Sequence, residues 1–418
     1  MQFHLMSQFS LMIADCFFRV QQITSLLFGK TKCFMRVTFF ISVLLILLTS
    51  ACVDTLSLAI NKEISLGVSI DGFISDQPGP YEIRINSIFD IESKESRKTP
   101  VSVRNLTISD DKGNSEALKE IDAGIYQTNP SGIKGEAGGV YKMRVELFDG
   151  RIYESLPDTI LASGSLDSLY LVFKEGYDGL GVKQYYFDLL FDASYDERIN
   201  NHFLWSFQGT FQSETHPEWY TGGGCFWLDE LTIPTKCNFL PPCSGYRNVG
   251  RFIKEPVFVK KYDCTCCTCW YNLFNPSPIL SDDLATGGRV SKVKAQTIPL
   301  NQWTLEHKIR LDVSQKSLTR STFKFWKAIR DQEKAIGNLF QPVSGKVPSN
   351  FVQVSGRSIP IEGLFFAAGI SRKVKYIDRF QLPPNLGSAI SFDEPIFTDD
   401  CRLLFANSTN IKPAFWKD

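Results

Sequence analysis

The apolar run Val37 to Cys52, VTFFISVLLILLTSAC, follows Met35-Arg36 and closes in small residues at a cysteine. A positive start, a short apolar stretch and a small-residue cut site make a secretion signal, and the run falls short of the roughly 20 residues that span a bilayer comfortably. Thr49-Ser50-Ala51-Cys52 is similar to a lipoprotein cleavage box, with Leu48 one place further from the cysteine than usual. Cleavage there leaves Cys52 first, its thiol carrying a diacylglycerol and its amino group open to a further acyl chain such as palmitate. The rival is an ordinary signal or anchor that happens to contain a cysteine. An exported chain meets an oxidising compartment, so its cysteines become cross-links that restrict which segments can lie together.

Residues 1–34 precede this signal, residues 35–51, and read as an over-extended start with Met35 the initiator, or as a longer leader. Cys16 and Cys33 are lost on either account. Removing residues 1–51 leaves 41 basic against 44 acidic side chains, which gives no electrostatic footprint for nucleic acid. No later run approaches a membrane span, so the remainder is expected to be soluble, in two or three domains at about 100 to 200 residues each.

Residues 57–164 carry the pattern of an Ig-like β-sandwich. In GVSIDGFISDQPGPYEIRINSIFD, two strand candidates flank Asp76-Gln77-Pro78-Gly79-Pro80, a turn because proline fixes φ and glycine admits φ > 0. Tyr81, Ile83 and Ile85 then alternate with polar neighbours, as do Val101, Val103, Leu106 and Ile108, and later Val140 to Leu147. That period of two, broken every 8 to 12 or so residues by turn chemistry, points to short half-buried strands.

Residues 165–418 read as a larger β-rich domain, from Leu166 to Phe173, Tyr185 to Phe191 and His202 to Phe207, with an insertion at 221–270 that concentrates cysteine. Cys225, Cys237, Cys243, Cys264, Cys266, Cys267, Cys269 and the distant Cys401 are the eight that accompany Cys52 in the mature chain. An even set in an exported protein is first a disulfide framework, whose connectivity spacing alone does not settle. The alternative is Zn or Cu captured by Cys264, Cys266, Cys267 and Cys269, since four thiolates within six residues suit soft metals. Cys266 and Cys269 have C-x₂-C spacing, but the second such pair 12 to 20 residues away is missing. Adjacent Cys266 and Cys267 reach different partners more naturally than each other, because a vicinal bridge strains the backbone. Trp227, Trp270 and Tyr271 are binding-surface candidates, as aromatic anchors on a pinned loop lose little entropy on contact. The rival is an insertion whose aromatics pack on the sheet.

Leu318 to Leu339 is the best helix, with Phe325, Ile329, Ala335, Ile336 and Leu339 at roughly helical spacing. Strand patterns return at Ser349 to Val354 and Ile361 to Ala368.

Taken in order, GFISDQPGPYEIRI, GGVYKMRVELFDGRIYES, FKFWKAIRDQEKAIGNLFQPVSGKVPSNF and GLFFAAGIS resemble the exported Bacteroidota lipoproteins catalogued as domain of unknown function 4249. The resemblance implies an N-terminal sandwich, a larger β domain and lipid anchorage in the outer membrane, often with a TonB-dependent transporter encoded alongside. It carries no catalytic residues.

The residues themselves make no positive case for an enzyme, and no cofactor is expected. His202, His216 and His307 sit in no recognisable metal or triad motif. Asp282-Asp283 and Asp399-Asp400 are adjacent, and on a strand neighbours point to opposite faces. Gly222-Gly223-Gly224 lacks the Lys-Ser/Thr of a phosphate loop. The expectation is a lipid-anchored, non-enzymatic protein of the outer membrane that binds an unknown ligand or assists a TonB-dependent transporter.

Overall fold

The computed structural model describes residues 67–88, 99–220, 240–249, 257–283, 287–300, 304, 307–335, 347, 349–356, 361–378, 398–405 and 407–416. All belong to one unit, Lys62–Asp418, and it is mainly β.

Alternation builds the first part. Val68, Ile70 and Ile74 of β1 (Val68–Ser75), Ile83 and Ile85 of β2 (Glu82–Ser87) and Tyr141, Met143 and Val145 of β7 (Val140–Glu146) are buried, with more exposed residues between them. One sheet runs β20 (Ile361–Ala368), β1, β2, β6 (Ile125–Gln127), β5 (Lys119–Asp122). The other runs β19 (Phe351–Ser355), β8 (Ile152–Ser155), β7, β3 (Asn105–Asp110), β4 (Ser115–Ala117), with β9 (Asp158–Thr159) also on β7. Their inner faces share a core that includes Ile70, Leu106, Tyr153 and Phe365.

Residues 57–164 therefore do not complete their own sandwich. Each sheet takes an edge strand from beyond the helix, and β20 lies parallel to β1 from Val68↔Ile361 to Ser75↔Ala368. The run Leu364-Phe-Phe-Ala-Ala368 explains why. Phe365 and Ala367 enter the sandwich core, while Leu364, Phe366 and Ala368 meet Leu204, Leu318 and Phe323 in a second cluster. A strand covered on both faces needs a continuous apolar run rather than alternation. Gly363 stands in register with Ile70 and has φ +99°.

The second part is also two sheets. β10 (Ser165–Tyr177), β11 (Lys183–Ser194) and β17 (Arg289–Pro299) form one. β15 (Thr268–Phe274), β12 (Phe203–Glu214), β18 (Ile309–Ser317) and β21 (Ile370–Ile377) form the other, with β16 (Ile279–Leu280) beside β12. A short ribbon joins β13 (Tyr246–Asn248) to β14 (Phe258–Lys260). Phe187, Leu189 and Phe191 pack against Phe203, Trp205, Phe207, Leu311 and Val313. The buried Trp205 indole donates to Gln315 Oε1 at 2.7 Å, which satisfies a polar handle in an apolar core.

Helix α1 (Arg320–Ala335) falls inside the predicted span, and Ile336 and Leu339 lie outside the described residues. It is tied to the sandwich at its start. Asp158, 4% exposed, accepts from the hydroxyls of Thr319 and Thr322, the latter at 2.9 Å, and from the Ala367 amide at 3.0 Å. Asp158→Ala is expected to strand two buried donors, the Thr322 hydroxyl and the Ala367 amide, and to cost about 2–4 kcal/mol, read as a lowered urea midpoint at unchanged slope. An unchanged midpoint would show that water replaces the carboxylate.

The chain crosses between its two parts at Gly369, whose amide donates to Ser317 Oγ and whose carbonyl accepts from the Ser317 amide, both at 2.9 Å. Beyond it β21 joins β18 antiparallel. The turn after β1 docks at the same place, with Asp76 accepting from the Ile370 amide at 2.9 Å and Gln77 donating to the Ile370 carbonyl at 3.1 Å. Among the described residues no helix is long and apolar enough to cross a membrane.

Candidate functional site

Strand β18 has two unlike faces. Ile309, Leu311 and Val313 point into the core, so Arg310, Asp312, Ser314 and Lys316 share the opposite face. Register places Ser206 of β12 opposite Ser314 and Arg372 of β21 on its other side. On an isolated sheet this would be a solvated surface. Here the sandwich faces it, and a cleft of about 610 Å³ opens between Ser206, Ser314, Lys316 and Arg372 on one side and Phe73, Gln77 and Tyr81 on the other. A neighbouring cavity of about 350 Å³ shares Phe73, Ser206 and Lys316 and continues to Trp326 of α1 and to Phe366. Phe73 stacks on Phe366 at 5.2 Å between ring centres, and Trp326 meets Phe366 edge-on.

Charge is unevenly placed in this cleft. The carboxylate of Asp312, 3% exposed, is clamped by Arg372, whose Nε donates to Oδ1 at 2.6 Å, and by Arg310 at 2.7 Å. Lys316 donates to Ser206 Oγ at 2.8 Å, and its ammonium lies 5.5 Å from the centre of the Phe73 ring. Ser206 and Ser314 share a hydrogen bond of 2.8 Å. Although part of the Lys316 side chain is reached from the cleft, burial pushes its ammonium from 10.5 down to about 8, helped by the Arg372 guanidinium and opposed by Asp312.

A lysine whose folded value is depressed makes the folded state bind fewer protons than the unfolded one. Stability should then climb with pH between about 8 and 10.5. Lys316→Met is expected to flatten that climb and to raise stability at neutral pH by about 1–3 kcal/mol, after discounting for partial access to solvent. Urea midpoints at neutral pH and near pH 10 check this, and a variant no more stable than the wild type would refute it.

The residues singled out in the sequence lie elsewhere. Cys52, Cys225, Trp227 and Cys237 fall outside the described residues. The six cysteines among the described residues form three bridges, Cys243–Cys266, Cys264–Cys267 and Cys269–Cys401. Adjacent Cys266 and Cys267 do reach different partners, but the pair that closes at C-x₂-C spacing is Cys264–Cys267. Cys264, Cys266, Cys267 and Cys269 therefore present no thiolate cluster for Zn or Cu, because each sulfur is bonded to another. Cys243, Cys266 and Asp400 lie close together, yet the two sulfurs are one bridge and the Asp400 carboxylate is engaged by Arg402 at 2.6 Å.

Trp270 is buried and Tyr271 half-buried, which removes the first from any binding surface. Their cover is the C-terminal segment. Phe405 packs on Tyr271 and Phe211, Trp416 on Trp270, and Thr409 exchanges both backbone hydrogen bonds with Trp270 at 2.8 and 3.0 Å. The three histidines do not line the cleft: His202 packs on Phe323, His216 pairs with Glu218 and His307 with Glu214. Asp282 is gripped by both Arg330 nitrogens at 2.7 and 2.8 Å and by Lys327 at 2.7 Å. The Arg330 guanidinium holds its carboxyl well below the usual carboxylate range, so it anchors the helix as a fixed anion.

The opening strand-turn-strand, GFISDQPGPYE, thus supplies one wall of the cleft, and GLFFAAGIS carries the strand that closes the sandwich. No curated protein and no solved structure matches this chain. A family model does, over residues 54–374, and its span takes in the sandwich, the helix, every residue named on the cleft and both sheets of the second part up to the middle of β21. The chain belongs to the family described as Domain of unknown function (DUF4249).

Proposed function

We propose that this chain is an exported, lipid-anchored binding protein of the outer membrane, held by acylated Cys52, that takes a small ligand into the cleft between its two β parts. In this reading it works beside a TonB-dependent transporter and is not an enzyme. The carrying observation is the cleft itself, a recess of about 610 Å³ walled by both parts and floored by a partly desolvated lysine. Ligand sites are typically concave and largely apolar with a few convergent polar groups. The signal and Cys52 support export and anchorage. Trp270 is buried, and this reading gives the ligand contacts to Phe73, Ser206 and Lys316.

Two variants test the two halves of the proposal. Cys52→Ser should abolish metabolic labelling by palmitate and release the protein from membranes, whereas retention in the membrane would overturn the anchor. Ser206→Trp should fill the cleft, leave labelling intact and lower the yield of a TonB-dependent transporter captured by cross-linking in the native envelope. An equal yield would overturn the assignment of the cleft.

A further inference from the structure

The polar floor of the cleft can be counted by protons. An ammonium has three N–H donors and no acceptor, and a serine hydroxyl has one donor. Lys316 gives one proton to Ser206 and turns toward the Phe73 ring. Whichever serine donates in the Ser206–Ser314 bond, one hydroxyl proton of the pair is left over. The Arg372 fork on the same face is already matched to Asp312. Around the Lys316 ammonium, the Ser206–Ser314 pair and the Arg372 fork, donors therefore outnumber the anionic acceptors, the one carboxylate there, Asp312, being already engaged.

Charge points the same way. Among the described residues no carboxylate pairs with Lys316. Asp312, nearest on its own strand, is shared by Arg310 and Arg372. Glu82 on the rim pairs with Arg84 at 2.7 Å. Asp71 of β1 and Glu333 of α1 line the neighbouring cavity. A cation placed out of water whose nearest carboxylate is shared by two guanidiniums is only partly compensated, and an acceptor-only anion would supply what is missing. The walls add shape, since Phe73, Phe274 and Tyr81 give flat apolar surfaces around that floor.

We infer that the cleft binds a small organic carboxylate carried on a flat apolar body, its oxygens meeting the Lys316 ammonium and the spare hydroxyl of Ser206 and Ser314. This rests on the cleft being the ligand site. The carboxylate replaces no residue; it completes the floor.

The experiment titrates the full mature protein with benzoate and with benzamide, a neutral probe of the same shape, and reads amide chemical shifts and the melting temperature. Benzoate should shift the amides of Ser206, Ser314 and Lys316 and raise the melting temperature, with benzamide at least roughly tenfold weaker, the scale of one charge-assisted contact. Lys316→Met should melt higher than the wild type in the absence of probe yet lose benzoate by a similar factor. A merely structural lysine would not separate those two readouts. Ser314→Ala, a smaller change, should weaken benzoate while lowering the melting temperature by no more than the loss of one hydrogen bond. Equal affinity for benzamide would overturn the anion while leaving the cleft as a ligand site. No response to either probe at millimolar concentration would overturn both.

Discussion

Gly363→Ala is expected to prevent the chain from reaching its native state. A Cβ at this position would sit 1.8 Å from the Ile70 carbonyl oxygen and 2.7 Å from its carbon, where β20 lies against β1. Neither atom belongs to a side chain that could turn away. The residue also has φ +99°, a region L side chains rarely adopt and which adds about 1–3 kcal/mol of strain. Together these exceed roughly 4 kcal/mol, a large share of a domain's stability. The measurement is thermal unfolding beside Gly113→Ala, which also has positive φ, +89°, but nothing within 4 Å of the added methyl. The control should lose only about 1 kcal/mol. Similar melting temperatures for the two variants would mean that β1 and β20 are not paired in this register.

Removing the Cys269–Cys401 bridge should have the next largest effect, because it closes a separation of 132 residues and holds the end of the chain. Long closed loops gain most from a cross-link, and its loss is expected to cost about 2–5 kcal/mol. The Cys269→Ser/Cys401→Ser double variant, which leaves no unpaired thiol, tests this cleanly. Its C-terminal segment should leave the sheet, uncovering Phe211 and Tyr271 beneath Phe405 and exposing Trp270 beneath Trp416. Limited proteolysis should then trim the chain near residue 400 and tryptophan emission should shift to the red. A wild-type cleavage pattern would show that backbone pairing at Thr409 suffices without the bridge.

The alternating strands were legible because their burial is local in origin: Tyr141, Met143 and Val145 repeat every second residue, and so do Ile83 and Ile85. The Leu364 to Ala368 run read as a strand but not as a partner of β1, since nothing local marks a pairing across 293 positions. Cys264–Cys267 escaped for the opposite reason, being one of several short-range closures that spacing permits. The cleft was hidden although its signal is plain. Arg310, Asp312, Ser314 and Lys316 alternate with Ile309, Leu311 and Val313 as any half-exposed strand would, and only the sandwich placed over that polar face makes it a site. Trp270 carried the converse lesson. An aromatic in a cysteine-rich loop looks available until the distant Trp416 and Thr409 are brought onto it.

The parallel pairing of β1 with β20 also bears on the order in which the protein can be made. A chain is synthesised from its N-terminus, so β1 and β2 are made while the partner of β1 is still hundreds of residues from arriving. Until then an apolar strand presents an open ladder of amides and carbonyls, a template for pairing with any neighbouring copy, and contacts this remote in sequence are slow to form. Folding would then depend on that edge being held apart until β20 is made, and a stalled or truncated chain ending before residue 361 would be prone to aggregate through it.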